Sequence, residues 1–228
     1  MPIGVILYKN NLAYNGELHT QALYLNYIIT CMDNTAGSLT QLQRSFLIGT
    51  LLGDGYIRQI KGKRNAFLEV NHSINQKDYV EWKYEVLKNL TRSRPKTRNG
   101  NGKRIAYRFF TKQHPEFTKM MDMFYKNKKK FIPDLTLDPM ILAIWFMDDG
   151  SRCSKDNVYL NTQQFSKNDQ YKLLGFLEKI GLEGTLNKDK QYFRIRFKTS
   201  SIPKLFGMIK QFIIPSMKYK LGYDPVET

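Results

Sequence analysis

Two apolar stretches stand out in the pattern of hydrophobic and polar positions along the chain, residues 47–55 (LIGTLLGDG) and residues 142–150 (LAIWFMDDG). Neither stretch has a polar face, so each predicts a helix that is buried around most of its circumference. Each stretch ends in Asp-Gly, which puts Asp54 and Asp149 where a helix stops. The same pattern therefore occurs twice.

A carboxylate is poorly stabilised at the end of a helix, because the C-terminal turn carries a partial negative charge and unpaired carbonyl groups. A cation would neutralise Asp54 and Asp149, and oxygen-only ligands suit a hard divalent ion such as Mg²⁺. Asp-Gly is also an ordinary way to end a helix, and a single copy would favour that simpler interpretation. Two copies favour a metal site.

Small residues indicate that the two predicted helices touch. Gly49 and Gly53 lie four positions apart in the first helix, and Ala143 lies in the second. Residues with little or no side chain let two backbones approach closely. The two acids would then end side by side.

The starts of the two helices are also marked in the sequence. Asp138 can cap the second helix, and Pro139 fits its first position, where the missing N–H costs nothing. Ser38 and Thr40 are each followed three residues later by Gln, which is the weaker capping-box pattern ahead of the first helix. Both starts predict helices of about four turns, long enough to cross a small domain.

The segments that follow each motif indicate an internal duplication, since the two acids lie 95 residues apart. The order in each half is helix, two strands, helix, strands, helix, which is an α+β pattern. The lysine-, glycine- and asparagine-rich residues 61–65, 96–103 and 187–190 are predicted to be hairpin turns. The predicted strands are residues 56–60, 67–72, 105–111, 158–163 and 192–199, and the predicted helices are residues 78–90, 116–125, 167–180 and 203–213.

Charge points to a polyanionic partner. The chain has 36 Lys and Arg against 20 Asp and Glu, a formal net charge of +16. Residues 1–44 contribute nothing to this excess, so the duplicated region carries all of it. An even scatter of solvated lysines is the alternative, but an excess of this size favours nucleic acid.

Apolar and polar residues alternate along residues 192–198 (YFRIRFK), which argues against an even scatter of basic residues. Phe193 and Ile195 would share one face of a strand, while Arg194 and Arg196 would share the other. A β-ribbon is narrow enough to enter the major groove of DNA, where arginine can contact guanine through two hydrogen bonds. An ordinary half-exposed strand would show the same pattern.

Other kinds of site have weak support. The histidines, His19, His72 and His114, have no Cys or His at metal-ligand spacing, so we expect polar surface or strand residues. Two cysteines, Cys31 and Cys153, are too few for a disulfide framework, which suits a reducing, intracellular compartment. The apolar residues 22–32 are too few to span a bilayer, and we expect no membrane partner. Residues 1–37 resemble neither a secretory signal nor an Arg-rich transit peptide.

The two motifs resemble the namesake motifs of single-chain LAGLIDADG homing endonucleases. GDGYIR after the first motif, KNKKKFIPDL ahead of the second, LNTQQF and IPSMKYKL extend the resemblance to residues 38–222, within the branch typified by the yeast mitochondrial omega-intron endonuclease. This resemblance implies a duplicated, pseudo-twofold αββαββα fold whose two antiparallel sheets form a saddle over DNA. The expected organisation is an extension at residues 1–37 and two subdomains at residues 38–135 and 136–228.

The resemblance also implies a metal-dependent site. Asp54 and Asp149, the last acid of each motif, would bind divalent metal, Mg²⁺ or Mn²⁺, between the scissile phosphates. Gly53 and Asp148 match positions that contribute mainly a backbone carbonyl.

Further catalytic residues are implied outside the motifs. Lys130 and Lys220 match the basic residues that line each active centre, although a solvated or phosphate-contacting cluster is an equally good interpretation of both lysines from sequence. Gln163 is the candidate polar residue that orients water in the second half. Its counterpart in the first half is Ser73 or Gln76, depending on how the halves are aligned.

The implied activity is hydrolysis of both strands of a long asymmetric double-stranded DNA site by a monomer, leaving 3′ overhangs. The alternative is an intron RNA-splicing maturase on the same scaffold. Two destabilising carboxylates favour the nuclease, because a pure binding protein has no need for them. Such an intron-encoded protein would work in a mitochondrion or chloroplast of a lower eukaryote, or in bacterial cytoplasm. The residues expected to contact DNA are Arg58, Lys61, Lys63, Arg64, Arg104, Arg108, Arg152, Lys155, Lys188, Lys190, Tyr192, Arg194, Arg196 and Lys198.

Overall fold

The computed structural model describes residues 38–100 and 102–222. The predicted extension at residues 1–37, with His19 and Cys31, lies outside these residues, as do the last six residues of the second predicted subdomain. The described chain is α+β and repeats the order helix, strand, strand, helix, strand, strand, helix. This is the αββαββα duplication that the sequence predicts.

The first copy has a four-stranded antiparallel sheet in the order β1-β2-β4-β3. The second copy has a four-stranded antiparallel sheet in the order β7-β8-β10-β9. Its elements therefore take the places of their counterparts in the first copy. The boundary between subdomains at residues 135 and 136 stays a prediction.

The elements of the first copy are α1 (Gln41–Leu52), β1 (Tyr56–Arg58), β2 (Phe67–Ser73), α2 (Lys77–Val86), β3 (Lys96–Asn99), β4 (Ile105–Phe110) and α3 (Pro115–Phe124). A short hairpin of β5 (Tyr125–Lys126) and β6 (Lys129–Lys130) follows. The second copy has α4 (Pro139–Asp149), β7 (Gly150–Ser154), β8 (Asn157–Leu160), α5 (Lys167–Lys179), β9 (Gly184–Asp189), β10 (Tyr192–Phe197) and α6 (Ile202–Ile209). A 3₁₀ segment (Pro215–Leu221) closes the described chain.

The motif helices start close to where the sequence predicts. Thr40 caps α1 in a complete capping box with Gln43, so the pattern at Thr40 rather than that at Ser38 is the one used. Asp138 accepts a hydrogen bond from the Ile141 N–H at the start of α4. Eight of the eleven residues of α4 are buried, which confirms that this helix runs through the core.

The two motif helices touch at glycines. A methyl group added at Gly49 would lie 2.7 Å from the Ile141 carbonyl oxygen and 2.8 Å from Ile144 Cβ. One added at Gly53 would lie 2.4 Å from Asp148 Cβ. The predicted close approach is therefore present, and it brings the C-terminal ends of α1 and α4 together.

Two strands lie where the sequence predicts turns. β3 occupies the first part of residues 96–103, and β9 includes most of residues 187–190. Both are edge strands of their sheets. All four residues of β3 are exposed, so the strand has no alternation of apolar and polar positions by which it could be recognised.

Two residues outside the site are at least partly exposed. His114 caps α3 by accepting a hydrogen bond from the Glu116 N–H. Cys153 is an exposed free thiol. In the described part of the chain, every helix is too short or too polar to cross a bilayer.

The helix contact generates a test. Gly49→Ala puts a Cβ against the backbone of α4, so we expect a loss of about 1–3 kcal/mol in the free energy of unfolding, measured by urea denaturation. Gly175→Ala in α5 is the matched control, because nothing lies within 4 Å of the added methyl group. The control should gain about 0.5–1 kcal/mol from helix propensity. Wild-type stability in Gly49→Ala would contradict the packing.

Candidate active site

Both motif acids face one pocket at the joined ends of α1 and α4. Asp149 is the last residue of α4, and Asp54 follows Gly53, the residue that caps α1. The predicted convergence of the two acids is therefore present. The pocket is lined by Gly53, Asp54, Gly55, Tyr56, Tyr125, Lys128, Lys129, Lys130, Asp149, Asn161, Gln164 and Ser166.

The surroundings of Asp54 and Asp149 disfavour the ionised form of both carboxyl groups. Burial, and then the neighbouring charges of Asp54 and Asp148, raise the pKa of Asp149 well above that of an ordinary aspartate. Burial and Asp148 also raise the pKa of Asp54, although its side chain is half exposed. Lys130 and Lys220 oppose both shifts without cancelling them. A divalent cation would relieve this repulsion, and the donors present are oxygens, which such an ion prefers.

Two lysines reach the motif ends in matching ways. Lys130 Nζ donates to the Gly53 carbonyl at 2.9 Å, and Lys220 Nζ donates to the Asp148 carbonyl at 2.9 Å. Each lysine thus bonds the carbonyl that directly precedes a motif acid. Burial lowers the pKa of Lys130 to about 8 and also lowers that of Lys220. Both side chains are partly buried and bond carbonyls, which does not fit a solvated cluster, whereas contact with phosphate stays a prediction.

The local backbone explains how Lys130 reaches the pocket. Asn127 and Lys128 have φ angles of 50° and 63°, so both turn residues are left-handed, as a tight two-residue hairpin requires. The hairpin folds β6 back against β5 and directs Lys130 inwards. The 3₁₀ segment that follows Pro215 brings Lys220 to the other motif.

The structure does not bring Gln163 into the pocket. Gln163 Nε2 donates to Asp189 Oδ2 at 2.9 Å, on β9. Its neighbour Gln164 takes the predicted place, with Nε2 at 3.2 Å from the Gly53 carbonyl and 3.4 Å from Asp149 Oδ2. The predicted strand over residues 158–163 ends at Leu160, so strand alternation does not fix the direction of either side chain.

In the first half, neither predicted candidate lies against Asp54 in the way Gln164 lies against Asp149. The Ser73 hydroxyl accepts from the Asn75 N–H, and the Gln76 side chain bonds His72. His72 is the residue beside the acid, with Nδ1 at 3.7 Å from Asp54 Oδ2. His72 lies in strand β2, as the expectation of a surface or strand residue allows, but its side chain is buried, with only 4% exposed.

A signal for His72 is present in the sequence. In β2 the buried positions are Leu68, Val70 and His72, at a spacing of two residues. This spacing puts His72 on the inward face. Spacing along the sequence does not reveal the contact of His72 with Asp54, because the two residues are close in space and not in sequence.

The side chain of Asp148 is fully buried and does not face the pocket as a free acid. It accepts hydrogen bonds from Lys83 Nζ and from the Tyr79 hydroxyl, each at 2.7 Å. Its other oxygen accepts from the Asp54 backbone N–H at 3.3 Å. Lys83 and Tyr79 were not recognised from sequence, where they fall within an amphipathic helix.

The solvent face of the first sheet carries two of the predicted DNA contacts. Arg58 and Arg108 both pair with Glu69, at 3.0 and 3.4 Å, and the Arg108 guanidinium lies 4.9 Å from the Phe110 ring centroid. Lys96 and Arg98 on β3 add exposed positive charge to this sheet. The predicted residues Lys61, Lys63, Arg64 and Arg104 are exposed in the turns between strands.

The second sheet shows the predicted alternation along β10, where Ile195 and Phe197 are buried. Tyr192 is exposed, and the Arg194 guanidinium stacks 4.0 Å from the Tyr159 ring centroid. Arg196 also pairs with Tyr159 in the strand register, on the face opposite Ile195. The predicted residues Lys155, Lys188, Lys190 and Lys198 are exposed in this sheet or its turns, and Lys198 pairs with Glu183.

Arg152 does not share the sheet face that carries Arg194 and Arg196. Its guanidinium donates to the Leu221 carbonyl and lies 5.4 Å from the Phe206 ring centroid. Arg152 therefore packs against α6 and the closing 3₁₀ segment. The geometry gives it a structural role within the chain.

Comparison with known proteins agrees with these features. Residues 44–205 match the LAGLIDADG DNA endonuclease family. The chain is 32% identical over 189 residues to cytochrome b mRNA maturase bI2 of Debaryomyces hansenii, covering 77% of this chain and 72% of that protein. It is 32% identical over 203 residues to probable intron-encoded endonuclease 1 of Wickerhamomyces canadensis, covering 82% of this chain and 87% of that protein.

A solved structure supports the fold. The homing endonuclease I-WcaI, bound to its DNA recognition sequence, superposes with a TM-score of 0.77 at 28% identity. The match covers 93% of this chain and 96% of that chain.

The raised pKa of Asp149 generates a test without DNA. Ionising this carboxyl opposes folding, so its unfavourable contribution is absent at low pH and is fully present above the raised pKa. We expect metal-free Asp149→Asn to be more stable than wild type near neutral pH by on the order of 1 kcal/mol, or about 2–4 °C in Tm. The difference should shrink towards about pH 4, near the ordinary aspartate pKa.

The matched control is Asp122→Asn, which changes an exposed acid on α3. It should leave Tm almost unchanged. Mg²⁺ should raise the Tm of wild type more than that of Asp149→Asn, because the variant lacks one of the two acids. A metal-free Asp149→Asn protein that melts below wild type at neutral pH would contradict the electrostatics.

Proposed function

The chain belongs to the LAGLIDADG DNA endonuclease family, and we propose that it is a site-specific homing endonuclease that hydrolyses both strands of a double-stranded DNA site as a monomer. The observation that carries the proposal is the pair of motif acids in one pocket, each next to a carbonyl that accepts from a partly buried lysine. A binding protein would gain nothing from two acids whose ionisation opposes folding.

The donor set supports a divalent metal, Mg²⁺ or Mn²⁺. Asp54 and Asp149 would hold it through their carboxylates, and Gly53 and Asp148 would add carbonyl oxygens. The raised pKa of each acid fits this assignment, because a cation restores the charged form. When bound, the metal supplies Lewis-acid polarisation of the phosphate and eases deprotonation of water.

The chain's own groups do the rest of the chemistry. Lys130 and Lys220 bring positive charge that stabilises the negative charge that develops on the phosphate. Burial keeps these ammonium groups poorly hydrated, which strengthens their interaction with a phosphate that enters the pocket. Gln164, rather than Gln163, is placed to orient a water molecule beside Asp149.

The duplication supports cutting of both strands by one chain. Each copy ends its motif helix at the shared pocket with one acid, and a lysine bonds the carbonyl before each acid, so a single chain supplies two similar centres. Two centres related by a pseudo-twofold axis fit the two strands of a duplex. The proposed product is a staggered break with 3′ overhangs.

The two sheets are proposed to bind the DNA. Arg58 and Arg108 in the first sheet and Arg194 and Arg196 in the second are the arginines best placed for base edges in the major groove. The lysines in the turns would contact phosphates and supply affinity rather than sequence preference. Arg152 is left out of this surface because its guanidinium is engaged within the chain.

A second candidate function is intron RNA splicing, as a maturase on the same scaffold. The relative from Debaryomyces hansenii is named a maturase, and its match spans most of both chains. The two acids favour cleavage and do not conflict with a dual activity. An intron-encoded protein in an organelle or in bacterial cytoplasm remains the proposed setting.

The nuclease proposal is tested with a randomised duplex library. Incubation with Mg²⁺ and sequencing of the cut ends should give one long asymmetric site with 3′ overhangs. On that site, Asp54→Asn and Asp149→Asn should each abolish double-strand cleavage and change DNA affinity by only a few-fold, because the acids hold metal and the sheets hold phosphate. Asp122→Asn is the control and should cut normally. Full cutting by either motif variant would overturn the assignment.

The charge of the sheets predicts a steep salt dependence. Each phosphate that a lysine or arginine neutralises releases counterions, so affinity for a duplex should fall roughly tenfold or more between about 50 and 200 mM salt. Fluorescence anisotropy with a labelled duplex in Ca²⁺ measures this. Affinity that does not change with salt would contradict binding through the basic sheets.

A further inference from the structure

The ammonium group of Lys83 is buried beside the active site. The Lys83 side chain, on α2, is fully buried, and Nζ lies 2.7 Å from Asp148 Oδ1 and 3.3 Å from His72 Nε2. The same group lies 4.4 Å from the Tyr79 ring centroid. A lysine is rarely buried to this degree without a specific partner, so the surrounding groups define its role.

The groups around Lys83 are of the types that hold metals. Ligand atoms of Asp54, His72 and Asp148 all lie within 4.8 Å of one another. The Lys83 ammonium contacts two of these three residues. The cation for this cluster is therefore supplied by the chain itself, and a metal ion here would have to displace it.

Lys83 also determines which nitrogen of His72 carries hydrogen. An ammonium group can only donate, so His72 Nε2 must accept. The hydrogen of the neutral ring is then on Nδ1, which faces Asp54 Oδ2 at 3.7 Å and is also the nitrogen left to bond the Gln76 side chain.

Asp148 transmits the effect of Lys83 to the backbone of Asp54. Asp148 Oδ1 accepts from Lys83 Nζ and from the Tyr79 hydroxyl, each at 2.7 Å. The ionised carboxylate accepts from the Asp54 N–H at 3.3 Å. The backbone and the carboxylate of Asp54 thus each face a group that Lys83 contacts.

The second acid has a different neighbour. Asp149 lies 3.4 Å from Gln164 Nε2, an amide that needs no charged partner to fix its hydrogens. Any effect of Lys83 on orientation should therefore fall mainly on Asp54.

We propose that Lys83 is a positioning residue, whose ammonium neutralises Asp148 and holds His72 as the Nδ1–H tautomer beside Asp54. This arrangement leaves metal to Asp54 and Asp149 and orients Asp54 for one of the two strand cuts. Only the strand-cutting part rests on the proposed function. The tautomer and the charge compensation stand without it.

The first experiment measures the tautomer in the wild-type protein. Nitrogen-15 labelling of histidine, with His72→Gln to assign the signal, should show a pyrrole-type shift at His72 Nδ1 and a pyridine-type shift at Nε2. The opposite pattern, or a charged ring near neutral pH, would overturn the proposal. This measurement needs neither DNA nor cleavage.

The second experiment is a double-mutant cycle on stability. Lys83→Met leaves Asp148 without its counter-ion, and we expect Tm to fall by at least about 6 °C. Asp148→Asn in the Lys83→Met background removes the uncompensated charge and should recover about half of that loss. Lys88→Met is the control, because Lys88 pairs only at the surface, with Glu85. No recovery in the double variant would contradict charge compensation.

The third experiment follows each DNA strand separately in the folded Lys83→Met/Asp148→Asn protein. The cutting rate of one strand should fall about 10–100-fold more than that of the other, as expected when support for one ligand is lost. The His72 signal should lose its pure Nδ1–H character in the same protein. Equal loss on both strands with an unchanged tautomer would refute the positioning role, whereas failure of wild type to cut any duplex would refute only the nuclease function.

Discussion

The close crossing of the two motif helices is the constraint on which the site depends. Gly49 and Gly53 leave no room for a side chain against α4, so the helix ends meet and place Asp54 and Asp149 in one pocket. A wider crossing would separate the acids and turn each into an ordinary helix end. The packing of the core thereby brings two carboxylates close together at its edge, where their negative charges repel.

The positive groups of the chain compensate this repulsion only in part. Three ammonium groups lie at the helix ends, of which Lys83 is fully buried, but Lys130 and Lys220 bond carbonyls and Lys83 bonds Asp148. The ammonium groups fix the backbone and the internal acid, while Asp149 keeps a raised pKa. The negative charge at the helix ends is therefore not fully compensated by the chain, and a divalent ion can supply the missing positive charge.

The elements of this fold follow from sequence more readily than its side-chain contacts. Capping residues and apolar stretches located both motif helices, and alternation located β10, because these signals are local. β3 was missed because an exposed edge strand has no apolar face. Gln164 rather than Gln163 faces the pocket because of the way the chain turns after β8 ends. His72 lies beside Asp54 because of the way separate elements pack together. Neither arrangement follows from a local pattern.

The repeat makes the backbone of the two centres alike, but the side chains that lie beside the two acids differ. Each half supplies an acid and a lysine, but His72 lies beside Asp54 and Gln164 beside Asp149. Two identical chains would have to change both centres together, whereas one duplicated chain can change each separately. The sheets differ in the same way, since Arg108 stacks on a phenylalanine and Arg194 on a tyrosine. Divergence of this kind suits a DNA site whose two halves are not alike, because each sheet can match its own half while the helix contact holds the acids together.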